Sequence, residues 1–150
     1  MSETREQAHQ IDIAASATTV FPMLHAPSAI RGWWGVSRAI VVPEAGGIWV
    51  AAWGEDEDDP DYVTLGTITT FEPPQRFGLR YDRYFARTGP LPFEADFRVE
   101  FTIEPLDPDG ARLRIVQSGF PMGPEADPFY AGVEQGWRTT LEAIKAYAER

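Results

Sequence analysis

Few side chains in this sequence could carry out proton transfer or metal binding. It has no cysteine, and its two histidines, His9 and His25, lie in a polar N-terminal stretch and at the expected end of a short helix. Two histidines without cysteine or a nearby carboxylate pattern do not make a metal site, and each is more typical of a surface or capping residue. Ser118 has no evident base partner and precedes Gly-Phe-Pro, which is typical of a turn. We therefore predict no metal, no cofactor and no catalytic residue.

Another set of polar side chains is predicted to lie among apolar ones. Tyr81, Arg83, Gln117 and either Thr67 or Thr69 share strand faces with aromatic and aliphatic residues. A buried polar group needs a partner from protein, water or ligand, and a few polar groups in an apolar cavity are the usual make-up of a ligand pocket. Arg83 could instead extend to solvent from its strand end. These residues indicate ligand binding or, alternatively, acid–base chemistry by Tyr81, Arg83 or a carboxylate.

The elements that must position these residues are clearest in the C-terminal half. Residues 95–103 alternate between apolar and polar types, as do residues 113–117, which predicts strands with one buried face. From Asp127 to Arg150 the apolar residues recur at helical spacing, at Tyr130, Val133, Trp137, Leu141, Ile144 and Ala148. A sheet with one apolar face followed by one amphipathic helix predicts a curved sheet around that helix. A space between the two would suit a small apolar molecule.

The N-terminal half supplies the remaining elements. We predict a strand at 11–15 and two short helices at 16–24 and 27–31, followed by four strands at 37–42, 47–53, 62–71 and 77–85. In the strand 47–53, either Trp49 and Trp53 or the alternate set Ile48, Val50 and Ala52 could face inward. The acidic run 54–61 predicts a solvated loop, because it lacks the spacing of a calcium-binding loop.

This order of elements predicts one α+β domain over residues 1–150. Strands adjacent in sequence are joined by short turns, so the sheet should be antiparallel. The net charge of −10, from 13 basic and 23 acidic residues, makes nucleic acid an unexpected partner. No apolar run approaches the ~20 residues of a membrane helix, and the polar N-terminus has no signal-peptide core. We expect a cytoplasmic protein, because the lack of cysteine suits a reducing compartment.

Several short motifs occur in a characteristic order along the chain: Ile11-x-Ile13-x-Ala15, Trp33-Trp34-Gly35, Gly46-Gly47-x-Trp49, Glu72-Pro73-Pro74-x-Arg76, Gln117-Ser118-Gly119-Phe120-Pro121 and Gly136-Trp137-x-x-x-Leu141. Together they resemble the START-like (SRPBCC) superfamily, and most of all its branch named for the activator of the 90-kDa heat-shock protein ATPase (AHSA-type). The resemblance covers nearly the whole chain. It implies the helix-grip fold, a curved seven-stranded antiparallel sheet around a long C-terminal helix, with two short helices after the first strand.

The resemblance also bears on function. Members typically hold hydrophobic small molecules, and some act as enzymes or resistance proteins. Many relatives place a histidine where this chain has Gln117, so a proton-transfer role is not carried over to that position. Eukaryotic co-chaperones of this branch have an additional N-terminal domain that this sequence lacks, so we do not expect chaperone activation to carry over either.

We therefore expect a monomer or homodimer that binds or sequesters a hydrophobic small molecule between the sheet and the C-terminal helix. The alternatives are a cyclase or hydrolase-type enzyme acting in the same cavity and a chaperone-linked adaptor. The predicted ligand-binding residues lie on the strands' inward faces and on the helices: Trp34, Trp49, Thr67, Tyr81, Arg83, Phe97, Val99, Phe101, Gln117, Phe120, Trp137 and Leu141.

Overall fold

One antiparallel sheet and three α-helices contain most of residues 3–150, the part of the chain that the computed structural model describes. The strands are β1 (Thr4–Ile13), β2 (Arg38–Val41), β3 (Ile48–Trp53), β4 (Tyr62–Glu72), β5 (Arg76–Ala86), β6 (Arg98–Leu106) and β7 (Gly110–Pro121). The helices are α1 (Ala17–Val20), α2 (Pro27–Trp34) and α3 (Asp127–Ala148), and a 3-10 turn at Phe21–Leu24 joins α1 to α2. The strand order β1-β7-β6-β5-β4-β3-β2 confirms the predicted seven-stranded α+β helix-grip fold.

The short helices follow from their cap and proline residues. The Oγ atom of Ser16 accepts a hydrogen bond from the N–H of Thr19 at 3.2 Å, which satisfies a free donor in the first turn of α1. Pro22 cannot donate a backbone hydrogen bond. The predicted helix at 16–24 is therefore divided into a single α-helical turn and the 3-10 turn that contains Pro22.

The first strand is longer than its apolar pattern indicated. β1 begins at Thr4, whereas the sequence predicted a start at Ile11. Gln7 is buried and His9 is half-buried on the inward face, so the strand has polar residues where alternation would require apolar ones. Its backbone nevertheless pairs with β7 along nearly its whole length, because ladder hydrogen bonds do not depend on side-chain polarity.

The long helix lies against the inward face of the sheet and divides into two parts. In its C-terminal half, Leu141 and Ile144 are 3% and 0% exposed and belong to the main apolar core. Its N-terminal half borders an open space instead. At the closed end of the sheet, the 3-10 turn packs Phe21 edge-on against Phe71 and Phe77, with ring centroids 5.5 and 6.2 Å apart. The short helices thus cover one end of the core.

The sheet opens between β5 and β6. These strands pair only where Arg76–Arg80 lies opposite Arg98–Thr102, so β6 starts later than the alternation at 95–103 predicted. Beyond this ladder, one more backbone hydrogen bond joins the two segments: the N–H of Tyr81 donates to the carbonyl of Phe97 at 3.0 Å. A register shift on the β4 side leaves Asp82 as an extra residue in β5, and bulges of this kind bend a strand. The residues on both sides of this opening line the candidate site.

Candidate functional site

A cavity of about 690 Å³ lies between the sheet and the N-terminal half of α3 and is open to solvent. This volume is within the range of sites that hold small organic ligands. Aromatic rings from α2, β3, β4, β5, the 87–97 loop and α3 form most of its walls: Trp34, Trp53, Tyr62, Tyr81, Tyr84, Phe93, Phe97, Phe129 and Trp137. Rings of this size supply large apolar contact surfaces, so the cavity suits an apolar or aromatic guest.

One face of α3 forms the helical wall of the cavity. Val133, Gly136, Trp137 and Thr140 line it, at the spacing that places side chains on the same side of a helix. Gly136 has no side chain, so the space next to the helix is empty at this position. A Cβ atom added there would meet nothing within 4 Å. The cavity therefore borders a helical position that could accept a side chain without a clash.

Trp137 and Gln117 join the helix to the sheet at the cavity. The indole Nε1 of Trp137 donates to Oε1 of Gln117 at 2.7 Å, and the two side chains are only 6% and 4% exposed. The Trp137 ring also meets Phe101 edge-on, with centroids 6.0 Å apart. These contacts hold both side chains in one orientation. Gln117, predicted as a polar group in the pocket, is thus tied to the helix.

Tyr81 supplies a hydroxyl to the cavity wall. Its ring stacks on that of Trp49 at 6.4 Å, and burial raises the pKa of Tyr81. Because burial disfavours the charged phenolate, the hydroxyl stays protonated at neutral pH. It can donate a hydrogen bond to a guest, but it is a poor general base.

The charged residues lie at the rim. Arg83, Asp82 and Glu94 border the cavity and are exposed. Asp82 accepts hydrogen bonds from Thr67 and Arg80, and these bonds lower the pKa of Asp82. The carboxylate of Asp82 therefore lies on the outer face of the sheet beside Thr67, so Arg83 and Glu94 are the charged groups at the rim, and no charged side chain lines the interior.

Six of the predicted ligand-binding residues border the cavity: Trp34, Tyr81, Arg83, Phe97, Gln117 and Trp137. They come from α2, β5, the segment before β6, β7 and α3, so the fold brings together positions far apart in sequence.

The other six predicted residues do not line the cavity. Thr67 lies on the opposite face of the sheet, where its hydroxyl donates to Asp82. Phe120 packs on Phe97 and on Tyr130 behind the wall, with ring centroids 5.1 and 5.0 Å away. The remaining four are buried among other side chains of the core: Trp49, Val99, Phe101 and Leu141. Parity along a strand indicates the inward face, but it does not distinguish packed core from cavity wall.

Sequence reasoning missed several residues of the walls. Val133, Gly136 and Thr140 could have been found, because they share a helical face with Trp137. Phe129 could have been found in the same way, because it lies four residues before Val133 in α3, whereas Phe93 is in an irregular loop and carries no such signal. The rings of Phe93 and Phe129 meet at 5.4 Å, a contact that only the fold creates.

Both histidines lie away from the cavity. His25 sits against Phe21 and Phe71, with ring centroids 5.5 and 5.2 Å away, and burial lowers the pKa of His25. His9 bonds to Oε1 of Gln7 at 2.7 Å, and burial lowers its pKa too. No group of three or more potential metal ligands occurs among residues 3–150.

The environment of His25 predicts a pH-dependent stability. A depressed pKa in the folded state means that the unfolded chain binds the proton first as pH falls below about 6.5. The free energy of unfolding should therefore fall from about pH 7.5 to 5.5, and this part of the fall should be absent in His25→Phe. Urea denaturation of both proteins across this range isolates the effect, because the carboxylates are common to both. A difference between them that does not change with pH would contradict the prediction.

The fold and the cavity define this chain as a START-like protein of the helix-grip class. The model of the family described as Activator of Hsp90 ATPase homolog 1-like protein matches residues 14–149. The chain belongs to that family, as its motifs indicated. No curated protein matches the sequence at a significant level.

Solved structures share the fold along the whole chain. Protein MLL2253 from Mesorhizobium loti is 22% identical, with a TM-score of 0.77 over 97% of this chain and 98% of that one. The Zhui aromatase/cyclase from Streptomyces sp. R1128 is 16% identical, with a TM-score of 0.72 over 99% and 95%. A norcoclaurine synthase point mutant from Thalictrum flavum, in complex with a transition-state analogue, is 11% identical, with a TM-score of 0.67 over 99% and 96%. At these identities the likeness is one of fold. Within residues 3–150, no helix is long and apolar enough to cross a membrane.

Proposed function

We propose that this protein binds a hydrophobic small molecule in the cavity between the sheet and α3. The observation that carries the proposal is the cavity itself, about 690 Å³ in volume and walled mainly by aromatic rings. An apolar guest would remove these rings from water, and burial of apolar surface is favourable by roughly 25 cal/mol per Å². The charged residues that border the cavity lie at its rim, and the interior is lined by uncharged side chains. This distribution supports an apolar guest over an ionic one.

Binding is better supported than catalysis by the groups inside the cavity. The interior holds no histidine, the carboxylate of Asp82 is bonded to Thr67 on the outer face of the sheet, and Glu94 lies at the exposed rim. A general base needs a pKa near the working pH, whereas burial raises the pKa of Tyr81 further from neutrality.

A cyclase-type enzyme is the second candidate. The aromatase/cyclase that shares the fold supports it, and the protonated Tyr81 hydroxyl could polarise a carbonyl in the cavity. If this candidate is correct, incubation with a carbonyl-rich aromatic precursor gives a new product by mass spectrometry, and Tyr81→Phe slows its formation. A precursor recovered unchanged argues against catalysis.

The third candidate is a chaperone-linked adaptor, which needs an exposed apolar surface for docking. The outer face of the sheet supports it, because Ile40, Ile48 and Phe85 expose 59%, 45% and 45% of their surface. A pull-down that recovers no chaperone would dismiss this candidate.

The binding proposal is tested with Nile red, an uncharged dye whose fluorescence rises in apolar surroundings. We expect saturable fluorescence enhancement with the natural sequence and a weakening of about tenfold or more in Gly136→Phe, which corresponds to at least about 1.4 kcal/mol. The added ring would occupy cavity space beside Trp137, where a Cβ meets no atom within 4 Å.

Gly132→Phe is the matched control. Gly132 is also on α3, a Cβ added there also meets nothing within 4 Å, and this residue does not line the cavity. Both variants should be slightly more stable than the natural protein, because phenylalanine is a better helix former than glycine by a few tenths of a kcal/mol. Equal dye affinity in Gly132→Phe and Gly136→Phe would count against the cavity as the binding site.

A further inference from the structure

The hydrogen bond between Trp137 and Gln117 determines which end of the Gln117 amide is free. An indole nitrogen can only donate, so the amide atom 2.7 Å from Nε1 of Trp137 must be the oxygen. The amide group of a glutamine is otherwise ambiguous by 180°, but this contact removes the ambiguity. The Nε2 group of Gln117, with its two N–H donors, is therefore directed away from the indole.

The free amide group has access to the cavity. Gln117 lines the cavity, and no other side chain or backbone atom in residues 3–150 accepts a hydrogen bond from its Nε2. In the same part of the chain, the fully enclosed side-chain polar atoms without a partner are Nε of Arg5 and Oε2 of Glu100. Nε2 of Gln117 is not enclosed in this way, so it reaches the cavity space.

Two hydroxyl groups, like the Nε2 group of the Gln117 amide, border the cavity without a hydrogen-bond partner in residues 3–150. Those of Tyr81 and Thr64 line the cavity, form no hydrogen bond within residues 3–150 and are not among the enclosed unpartnered atoms. Burial raises the pKa of Tyr81, so its hydroxyl carries a proton to donate. The inner wall therefore presents donors from two directions, the amide on β7 and the phenol on β5.

The charges around the cavity disfavour an ionic guest. The interior contains no lysine, arginine or histidine to pair with an anion, and the rim adds the acidic side chain of Glu94. The whole chain has a net charge of −10. Burial of an unpaired anion is costly, whereas a neutral oxygen acceptor meets donors that otherwise lack partners.

We infer that the guest is an uncharged aromatic molecule with an acceptor oxygen, such as a carbonyl, placed against Nε2 of Gln117. This inference rests on the proposed function and specifies its ligand class. Gln117 is then a residue that determines specificity, because it holds a donor in place through its own bond to Trp137.

The test compares three molecules of nearly the same shape: 9-fluorenone with a carbonyl, fluorene with a methylene in its place, and fluorene-9-carboxylate with a negative charge. Each is titrated against the protein with bound Nile red. We expect fluorenone to displace the dye at a concentration about 3- to 10-fold lower than fluorene, the range for one neutral hydrogen bond. The carboxylate should be weaker than both.

Gln117→Leu removes the donor and replaces the amide side chain with an apolar one of similar size. Fluorenone should lose its advantage over fluorene in this variant, and fluorene affinity should stay within about twofold. Because the variant leaves the Trp137 indole without an acceptor and could fail to fold, the infrared carbonyl stretch of fluorenone is measured on the natural protein as well. It should lie at lower frequency than in hexane, as for a hydrogen-bonded carbonyl.

The outcomes separate this inference from the proposed function. Equal displacement by fluorenone and fluorene, no displacement by fluorenone, an advantage retained in Gln117→Leu, or an unshifted carbonyl stretch would overturn the inference. In each of these cases saturable Nile red binding would still support an apolar cavity. Absence of Nile red binding would overturn the proposed function, and the inference with it.

Discussion

Replacing Trp137 by alanine is expected to lower the free energy of unfolding by about 3–5 kcal/mol. The indole is 6% exposed, its N–H donates to Gln117, and its ring packs on Phe101. Alanine would remove the apolar contacts and leave the buried Oε1 of Gln117 without its partner. Urea denaturation followed by far-UV circular dichroism measures the change without relying on tryptophan fluorescence.

Trp137→Phe is the companion variant. It keeps an aromatic ring at the same place on α3 but loses the indole N–H, so its cost should be smaller, about 1–3 kcal/mol. A loss below about 1 kcal/mol in the alanine variant would mean that the ring contributes little packing and borders open space on most of its surface. That result would require a larger cavity than the structure shows.

Replacing Gly119 by alanine should also be costly, by about 2–4 kcal/mol. Gly119 has φ +92°, and a Cβ added there would lie 2.0 Å from the carbonyl oxygen of Asp96, which is backbone and cannot swing aside. The motif Gln117-Ser118-Gly119-Phe120-Pro121 thus contains a glycine because β7 passes close to the segment that leads into β6. The cost is measured by urea denaturation.

Gly46→Ala separates the two causes. Gly46 has a similar φ of +87°, but a Cβ added there meets nothing within 4 Å. Its substitution should cost only the backbone strain, about 1–2 kcal/mol. If both alanine variants lose the same stability, the close approach to Asp96 is relieved by a small shift and does not restrict the residue at position 119.

The fold could be predicted from the sequence because its strongest signals are local. Alternation at 95–103 and helical spacing after Asp127 both report one buried face, and the short turns leave an antiparallel meander as the simplest arrangement of β2 to β7. The pairing of β1 with β7 has no such local signal. The predicted starts of two strands were wrong where the apolar pattern does not follow the backbone pairing. β1 was predicted too short because Gln7 and His9 face inward, and β6 was predicted to start too early because its apolar alternation begins in the loop before the ladder.

The candidate site was predictable only in part. Tyr81 and Gln117 stood out as polar residues on apolar faces, and both border the cavity. Thr67 was predicted to face inward, but the buried face of β4 carries Thr64 and Ile68, so Thr67 lies on the outer face, where its hydroxyl donates to Asp82. Leu141 and Trp137 lie one turn apart on the same helix, yet only Trp137 reaches the cavity. The boundary between solid core and empty space depends on three-dimensional packing.

The two halves of α3 have different surroundings. Leu141 and Ile144 are buried in the core, while Val133 and Gly136 border the cavity. Selection acting on the first turns of this helix could therefore alter what is recognised while leaving the foundation of the domain intact. A fold can change its ligand without losing stability when the residues that contact the ligand are separate from those that form the core, and in this protein both sets lie on one helix.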